Sequence, residues 1–194
     1  MSTNFEFRKQ AVKSLTNNKG VYVLADLDNV PIYVGQSKDG IRSRVARHLT
    51  SARSDIIANR QIDVWEIAYV WTYPVEDLNT ISPLEAALFH RFNNKSQLMN
   101  GAALPQPSKY FTIPEPSQIV QVMADEEIAD KLDEAQRLPR QAAHYAQIVG
   151  HFVAVKNSPQ IALAMDAHFQ RLKTYHQRLL GEAEAVPEDN EADA

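Results

Sequence analysis

The pairing of Gly20-Val21-Tyr22 with Tyr33-Val34-Gly35, after ten intervening residues, constrains the fold of this chain more than any other feature. Val21 to Ala25 and Pro31 to Val34 are rich in β-branched and aromatic residues, and Asp26 to Asn29 is turn-forming, so the stretch predicts a β-hairpin. Pro31 suits the start of the return strand, where its missing N–H costs nothing. A polar loop, Gln36 to Gly40, leads to Ile41, Val45 and Leu49 at four-residue spacing, the pattern of a helix with one face on a core. Ile62 to Trp71 reads as a third, central strand. Ser82-Pro83-Leu84-Glu85 predicts a helix start, with Ser82 as cap, Pro83 in the first helical position and Glu85 closing a capping box; the helix runs to about Phe92. Upstream, residues 4–16 carry Phe5, Ala11, Val12 and Leu15 as a partial apolar stripe of a short helix. Asn93 to Ser108 reads as loop, followed by an extended piece at Tyr110 to Ile113. The expectation is an α+β fold with a small three-stranded antiparallel sheet flanked by helices.

Beyond Pro114-Glu115-Pro116 the composition shifts to helix formers. Helices are expected near 117–136, 141–156 and 159–181, separated by Pro139 and by Asn157-Ser158-Pro159. In the last, Ile161, Met165, Phe169, Leu172, Tyr175 and Leu179 form an apolar seam, which implies packing within the chain or a homodimer or protein partner. Glu182 to Ala194 is acidic and Ala-rich, a composition that does not build a core. The chain thus divides into residues 1–113, a helical extension at 114–181, and an expected disordered acidic tail at 182–194.

Charge follows the same division. Residues 1–112 hold 13 Lys+Arg against 10 Asp+Glu, whereas residues 113–194 hold 7 against 14. Within the first part, Lys38, Arg42, Arg44, Arg47, Arg53 and Arg60 face only Asp39 and Asp55. Such a stripe meets the requirement of phosphate binding, although it equally describes a solvated helix face. Cysteine is absent, which excludes disulfides, thiolate nucleophiles and thiolate-bound metals. No run approaches the ~18 apolar residues of a membrane span, and the first residues lack a signal-peptide pattern. A soluble, cytoplasmic protein is expected.

The Gly20-Val21-Tyr22 and Tyr33-Val34-Gly35 pair resembles the motif that names the GIY-YIG nucleases, with Val in place of Ile in each half. The family places an Arg in the helix after the second strand, a His or Tyr one turn later, a Glu on a later helix and an Asn 12 to 15 residues beyond it. This sequence has Arg44, His48, Glu85 and Asn100 in that order. The resemblance covers the first ~110 residues and implies a DNA endonuclease. Arg44, Arg47 and His48 are expected on the face of their helix opposite Ile41, Val45 and Leu49.

The implied mechanism hydrolyses a phosphodiester with one divalent ion, Mg²⁺ or Mn²⁺, held by Glu85 and by water. Arg44 would fork onto the phosphate oxygens. Tyr22 or Tyr33 would orient or deprotonate the attacking water, the choice between them remaining open. His48 would position that tyrosine, Asn100 would fix the site, and Lys38, Arg42 and Arg47 would contact DNA. Where the excision-repair branch commonly has Lys after the second Gly, this chain has Gln36, and one residue is inserted before Arg44. The competing reading is a GIY-YIG-fold module without activity, binding nucleic acid or protein and recruited through the extension. The remaining histidines, His90, His144, His151, His168 and His176, carry no motif.

Overall fold

The computed structural model describes residues 3–50, 61–108, 111–155 and 158–181. Arg53, Arg60, Tyr110 and the acidic tail lie outside them. Helix α1 (Thr3–Ser14) precedes the hairpin of β1 (Gly20–Ala25) and β2 (Pro31–Ser37), and α2 (Ile41–Thr50) follows directly. Strand β3 (Tyr69–Pro74) and α3 (Ile81–Asn93) come next, then β4 (Gln118–Gln121), α4 (Asp125–Leu132), α5 (Glu134–Ala154) and α6 (Pro159–Leu179). All strand pairs are antiparallel, in the order β2-β1-β3-β4.

The sheet has four strands rather than three. The fourth, Gln118–Gln121, lies in the segment that composition assigned to helix; it pairs with β3 from Tyr69↔Gln121 to Thr72↔Gln118. The third strand starts at Tyr69, later than Ile62. Val64–Glu66 forms instead a 3-10 turn, whose cap Asp63 accepts from the Trp65 N–H at 3.0 Å. Pro139 does not break a helix but sits inside α5. Near the start of the helix it costs one bond, to the carbonyl four residues back.

Alternation along β1 divides the core. Tyr22 and Leu24 pack with Val12, Leu15, Ile41, Val45 and Leu49 under α1 and α2. Val21 and Val23 pack with Val34, Ile81, Leu84, Leu88 and Phe92 under α3. Burial of these side chains, about 25 cal/mol per Å² of apolar surface, holds both layers.

The extension docks on the hairpin-turn end of the sheet through charge. Arg137, fully buried, donates from Nε to Glu66 Oε1 at 2.8 Å and from Nη1 to Asp28 Oδ2 at 2.7 Å. Arg140 bridges Asp63 (2.6 Å) and Glu66 (2.8 Å). The Tyr175 hydroxyl donates to Glu66 Oε1 at 3.2 Å, and its ring lies 4.1 Å from the Arg137 guanidinium carbon. The neighbouring carboxylates hold the Arg137 guanidinium well above its ordinary range despite the desolvation that opposes it. The buried face of α6 is therefore Ile161, Ala164, Ala167, His168, Arg171 and Tyr175, while Phe169 and Leu179 of the expected seam are exposed. No helix among the described residues is long and apolar enough to cross a membrane.

Candidate functional site

Strand register puts the two tyrosines on one face. Tyr22 is opposite Gly35, and Leu24 is opposite Tyr33. The two rings lie 6.3 Å apart, and the His48 ring is 5.7 Å from Tyr22 and 6.1 Å from Tyr33. Tyr22 is fully buried, and its hydroxyl is hydrogen-bonded to His48 Nε2 at 2.6 Å. Tyr33 remains half-buried at the margin of the same cluster. Gly35 is required by this packing: a Cβ there would stand 2.5 Å from the Tyr22 hydroxyl and 2.8 Å from Tyr33 Cε1.

His48 is not on the outward cationic face. It lies with Ile41, Val45 and Leu49 on the buried side of α2, because Ile41 and His48 are seven residues apart, close to two full turns. Arg44 is half-buried one turn before it, and Arg47 and Lys38 are exposed. Arg42 donates from Nε to the Leu15 carbonyl at 2.7 Å, tying α2 to the end of α1.

Asn100 closes the outer edge of β2. Its Oδ1 accepts from the Val34 N–H at 3.1 Å and its Nδ2 donates to the Val34 carbonyl at 2.7 Å, while the Met99 N–H donates to the Ile32 carbonyl at 2.8 Å. The amide thereby fixes the residue between Tyr33 and Gly35.

Glu85 is not part of a capping box. Helix α3 starts at Ile81 after a 3-10 turn, Leu78–Thr80, and its cap Thr80 makes no side-chain hydrogen bond; Ser82 lies inside the helix. At 100° per residue, Glu85 falls between Ile81, Phe89 and Phe92 on the stripe that packs against the sheet. Its carboxylate is half-buried, and no charged neighbour among the described residues perturbs it. Burial alone pushes it up to about 7.

The tyrosines with His48 and the Glu85 helix thus belong to opposite layers of the sheet, and register sets Tyr22 at the middle of β1 and Tyr33, opposite Leu24, toward the hairpin turn. Gly20 is paired with Ser37 and with Pro74, so β1 begins where β2 and β3 end, and α2 and α3 both depart from there. The extension grips the other end, at Asp26, Asp28 and Glu66. Among the described residues no cluster of three or more His, Asp or Glu forms a closed metal cage. Any ion at the site would be held by few protein oxygens and by water.

Sequence reasoning passed over Arg137, Arg140 and Arg171, whose partners stand 71 to 145 residues away and leave no local pattern. Residues 18–98 match the family model of the GIY-YIG catalytic domain. Searches of curated proteins and of solved structures give no significant match. The matched span contains both halves of the tyrosine motif, α2 and Glu85, and the amino-terminal region of this chain is a GIY-YIG domain.

Proposed function

We propose that the protein is a metal-dependent DNA endonuclease whose site is built from the tyrosine hairpin, α2, Asn100 and the Glu85 helix. The observation that carries this reading is the buried Tyr22–His48 hydrogen bond lying directly behind Tyr33. A hairpin that merely packed its tyrosines would not need a histidine buried at 1% exposure to hold one hydroxyl; such an arrangement fixes the neighbouring phenol.

Burial separates the roles of the two tyrosines. Tyr22 has no exposed surface and cannot touch an attacking water, whereas Tyr33 can. Tyr33 therefore orients the water and takes its proton, and Tyr22 with His48 positions it. Phenols ionise near ~10 in water, so the transfer needs positive charge close by. Arg44, on the same helix as His48, supplies it and forks onto the phosphoryl oxygens as negative charge grows in the transition state. Asn100 holds the Val34 backbone and with it the direction of Tyr33.

A divalent cation fits Glu85, a desolvated carboxylate with no countercharge among the described residues. Mg²⁺ or Mn²⁺ held there would neutralise the scissile phosphate and assist the leaving oxygen.

Charge exchange between the two parts of the chain supports DNA as substrate. Asp26, Asp28, Asp63 and Glu66 are paired with arginines of the extension, leaving the amino-terminal part with 13 cations against six other acids. Exposed Lys38 and Arg47, with the terminal nitrogens of Arg42, contact the duplex. The acidic extension stays off it. A homodimer or protein partner would use the outer faces of α5 and α6, where Leu138, Ala142, Phe169 and Leu172 line an open apolar groove. The reaction belongs to the cytoplasm.

Plasmid nicking with Mg²⁺ or Mn²⁺ tests the reading. Tyr33→Phe, Arg44→Ala and Glu85→Ala should each lower the rate by about 10² or more. Cleavage that persists in all three excludes this site; salt-sensitive binding without cleavage by the wild type identifies an inactive binding module.

A further inference from the structure

Gln36 stands directly after the glycine of the second motif half, and it carries an anomaly of its own. Its Oε1 is buried and has no hydrogen-bond partner. A buried amide oxygen without a donor keeps its full desolvation penalty, so a protein tolerates one where something else satisfies it. Register tells which face it occupies. Gln36 is opposite Val21 and two residues from Val34, and both valines belong to the cluster formed with Ile81, Leu84 and Leu88 of α3. Gln36 therefore projects onto the layer covered by α3, at the end of β2 away from the hairpin turn.

Glu85 occupies the inner stripe of that same helix, in its first half. One layer of the sheet, at the end of β2 away from the hairpin turn, thus holds a buried amide oxygen without a partner and a half-buried carboxylate that no neighbouring charge perturbs among the described residues. A cation between them engages the amide oxygen and supplies the carboxylate with a countercharge at once. We infer that Gln36 supplies, through Oε1, a second protein oxygen to the divalent ion held by Glu85. The inference rests on the proposed metal role of Glu85 and adds to it a ligand that the motif does not predict. Carbonyl and carboxylate oxygens with the remaining positions filled by water suit Mg²⁺ and Mn²⁺. The neutral amide adds no charge, so Glu85 keeps its full attraction for the ion.

The test is Mn²⁺ affinity of the full chain without DNA, read from the electron paramagnetic resonance signal of free Mn²⁺, with thermal melts verifying that each variant is folded. Wild type should bind, Glu85→Gln should abolish binding, Gln36→Leu should weaken it at least fivefold, and Gln36→Glu should tighten it. If Glu85→Gln abolishes binding while Gln36→Leu and Gln36→Glu both stay within twofold of wild type, Gln36 is not a ligand and Glu85 still is. If the wild type binds no Mn²⁺, or Glu85→Gln binds as well as wild type, the metal reading itself falls and this inference falls with it. Should Gln36→Leu not fold, Gln36→Glu decides alone, because a carboxylate placed on the ion tightens binding and one placed elsewhere does not.

Discussion

Arg171, near the middle of the last helix, donates from Nη1 to Asp26 Oδ2 at 2.5 Å, at the turn of the tyrosine hairpin 145 residues earlier in the chain. The same guanidinium reaches the Pro31 carbonyl at 3.2 Å and Ser96 Oγ at 3.1 Å. It therefore ties three segments together: the end of β1, the start of β2 and the loop that leads to Asn100. Asp26 in turn accepts from the N–H groups of Asp28 and Val30, which shape the turn.

Removing Arg171 leaves buried Asp26 with only the more distant Arg137 guanidinium, at 3.7 Å, as countercharge among the described residues. Arg171→Met should lower stability by about 2–3 kcal/mol, short of the full cost of a broken buried pair because Arg137 remains. The double substitution Arg171→Met with Asp26→Asn should recover part of that loss, because the under-compensated carboxylate is then neutral. Urea denaturation of the four proteins of the cycle measures the coupling. Additive losses would show that the pair does not act as a unit.

A chain ended at residue 114 loses β4 and every arginine of the network. Strand β3 becomes an edge, and Glu66, Asp26 and Asp63 lose their partners while their surroundings are exposed. We expect this fragment to lack a cooperative melt or to aggregate, so that residues 1–113 and 114–181 behave as one folding unit. A cooperative melt for the fragment, close to that of the full chain, would contradict this.

The hairpin, α2 and α3 were legible because their signals are local: alternation, turn residues and four-residue spacing each act within a few positions. The tyrosine motif was legible for the same reason, since register follows once the turn is placed. The third strand was set too early because Ile62 to Ile67 is apolar for a different purpose, a 3-10 turn that carries Asp63 and Glu66 to the arginines. Strand β4 has only four residues and borrows its order from β3, so nothing within it outweighs the helix formers around it. His48 was placed outward by its step from Arg44, although its step from Ile41 is the one that burial follows.

Gly35→Ala probes the tyrosine cluster with the smallest possible change. The new Cβ would fall 2.5 Å from the Tyr22 hydroxyl, a distance that requires the ring to move and its bond to His48 to lengthen. Overpacking of this kind costs about 1–3 kcal/mol, and cleavage should fall by more than the stability loss explains. A crystal structure of the variant with the Tyr22–His48 bond intact, or full activity, would refute the account.

His168 gives the docking of the extension an acid limit. Its ring N–H donates to the Gln61 carbonyl at 2.8 Å, and the His144 ring centroid is 5.0 Å from its own. Burial first, then His144, lower its pKa from 6.5 to about 3. The folded state binds this proton less readily than the unfolded one, so the contribution to stability is complete above about 6.5 and is lost as pH falls toward 3. The wild type should lose on the order of 2–3 kcal/mol between pH 6.5 and pH 4 from this group, and His168→Gln should flatten that part of the profile. Parallel profiles would remove His168 as the cause.

Glu85 titrates with the opposite sign. Burial raises it from 4.5 to about 7, so the folded state holds its proton more tightly, and the stability it contributes is complete below about 4.5 and lost as pH rises through 7. Glu85→Gln should therefore be more stable than wild type above pH 7, by on the order of 1 kcal/mol once solvent access is allowed for, and should lose that advantage below pH 4.5. The same deprotonation that costs stability creates the charge a cation needs, so Mn²⁺ binding and cleavage should both rise between pH 6 and pH 8. Added Mn²⁺ should also raise the melting temperature of the wild type at pH 8 but not at pH 5, and leave Glu85→Gln unchanged at either. An equal thermal shift at both pH values would place the ion away from Glu85.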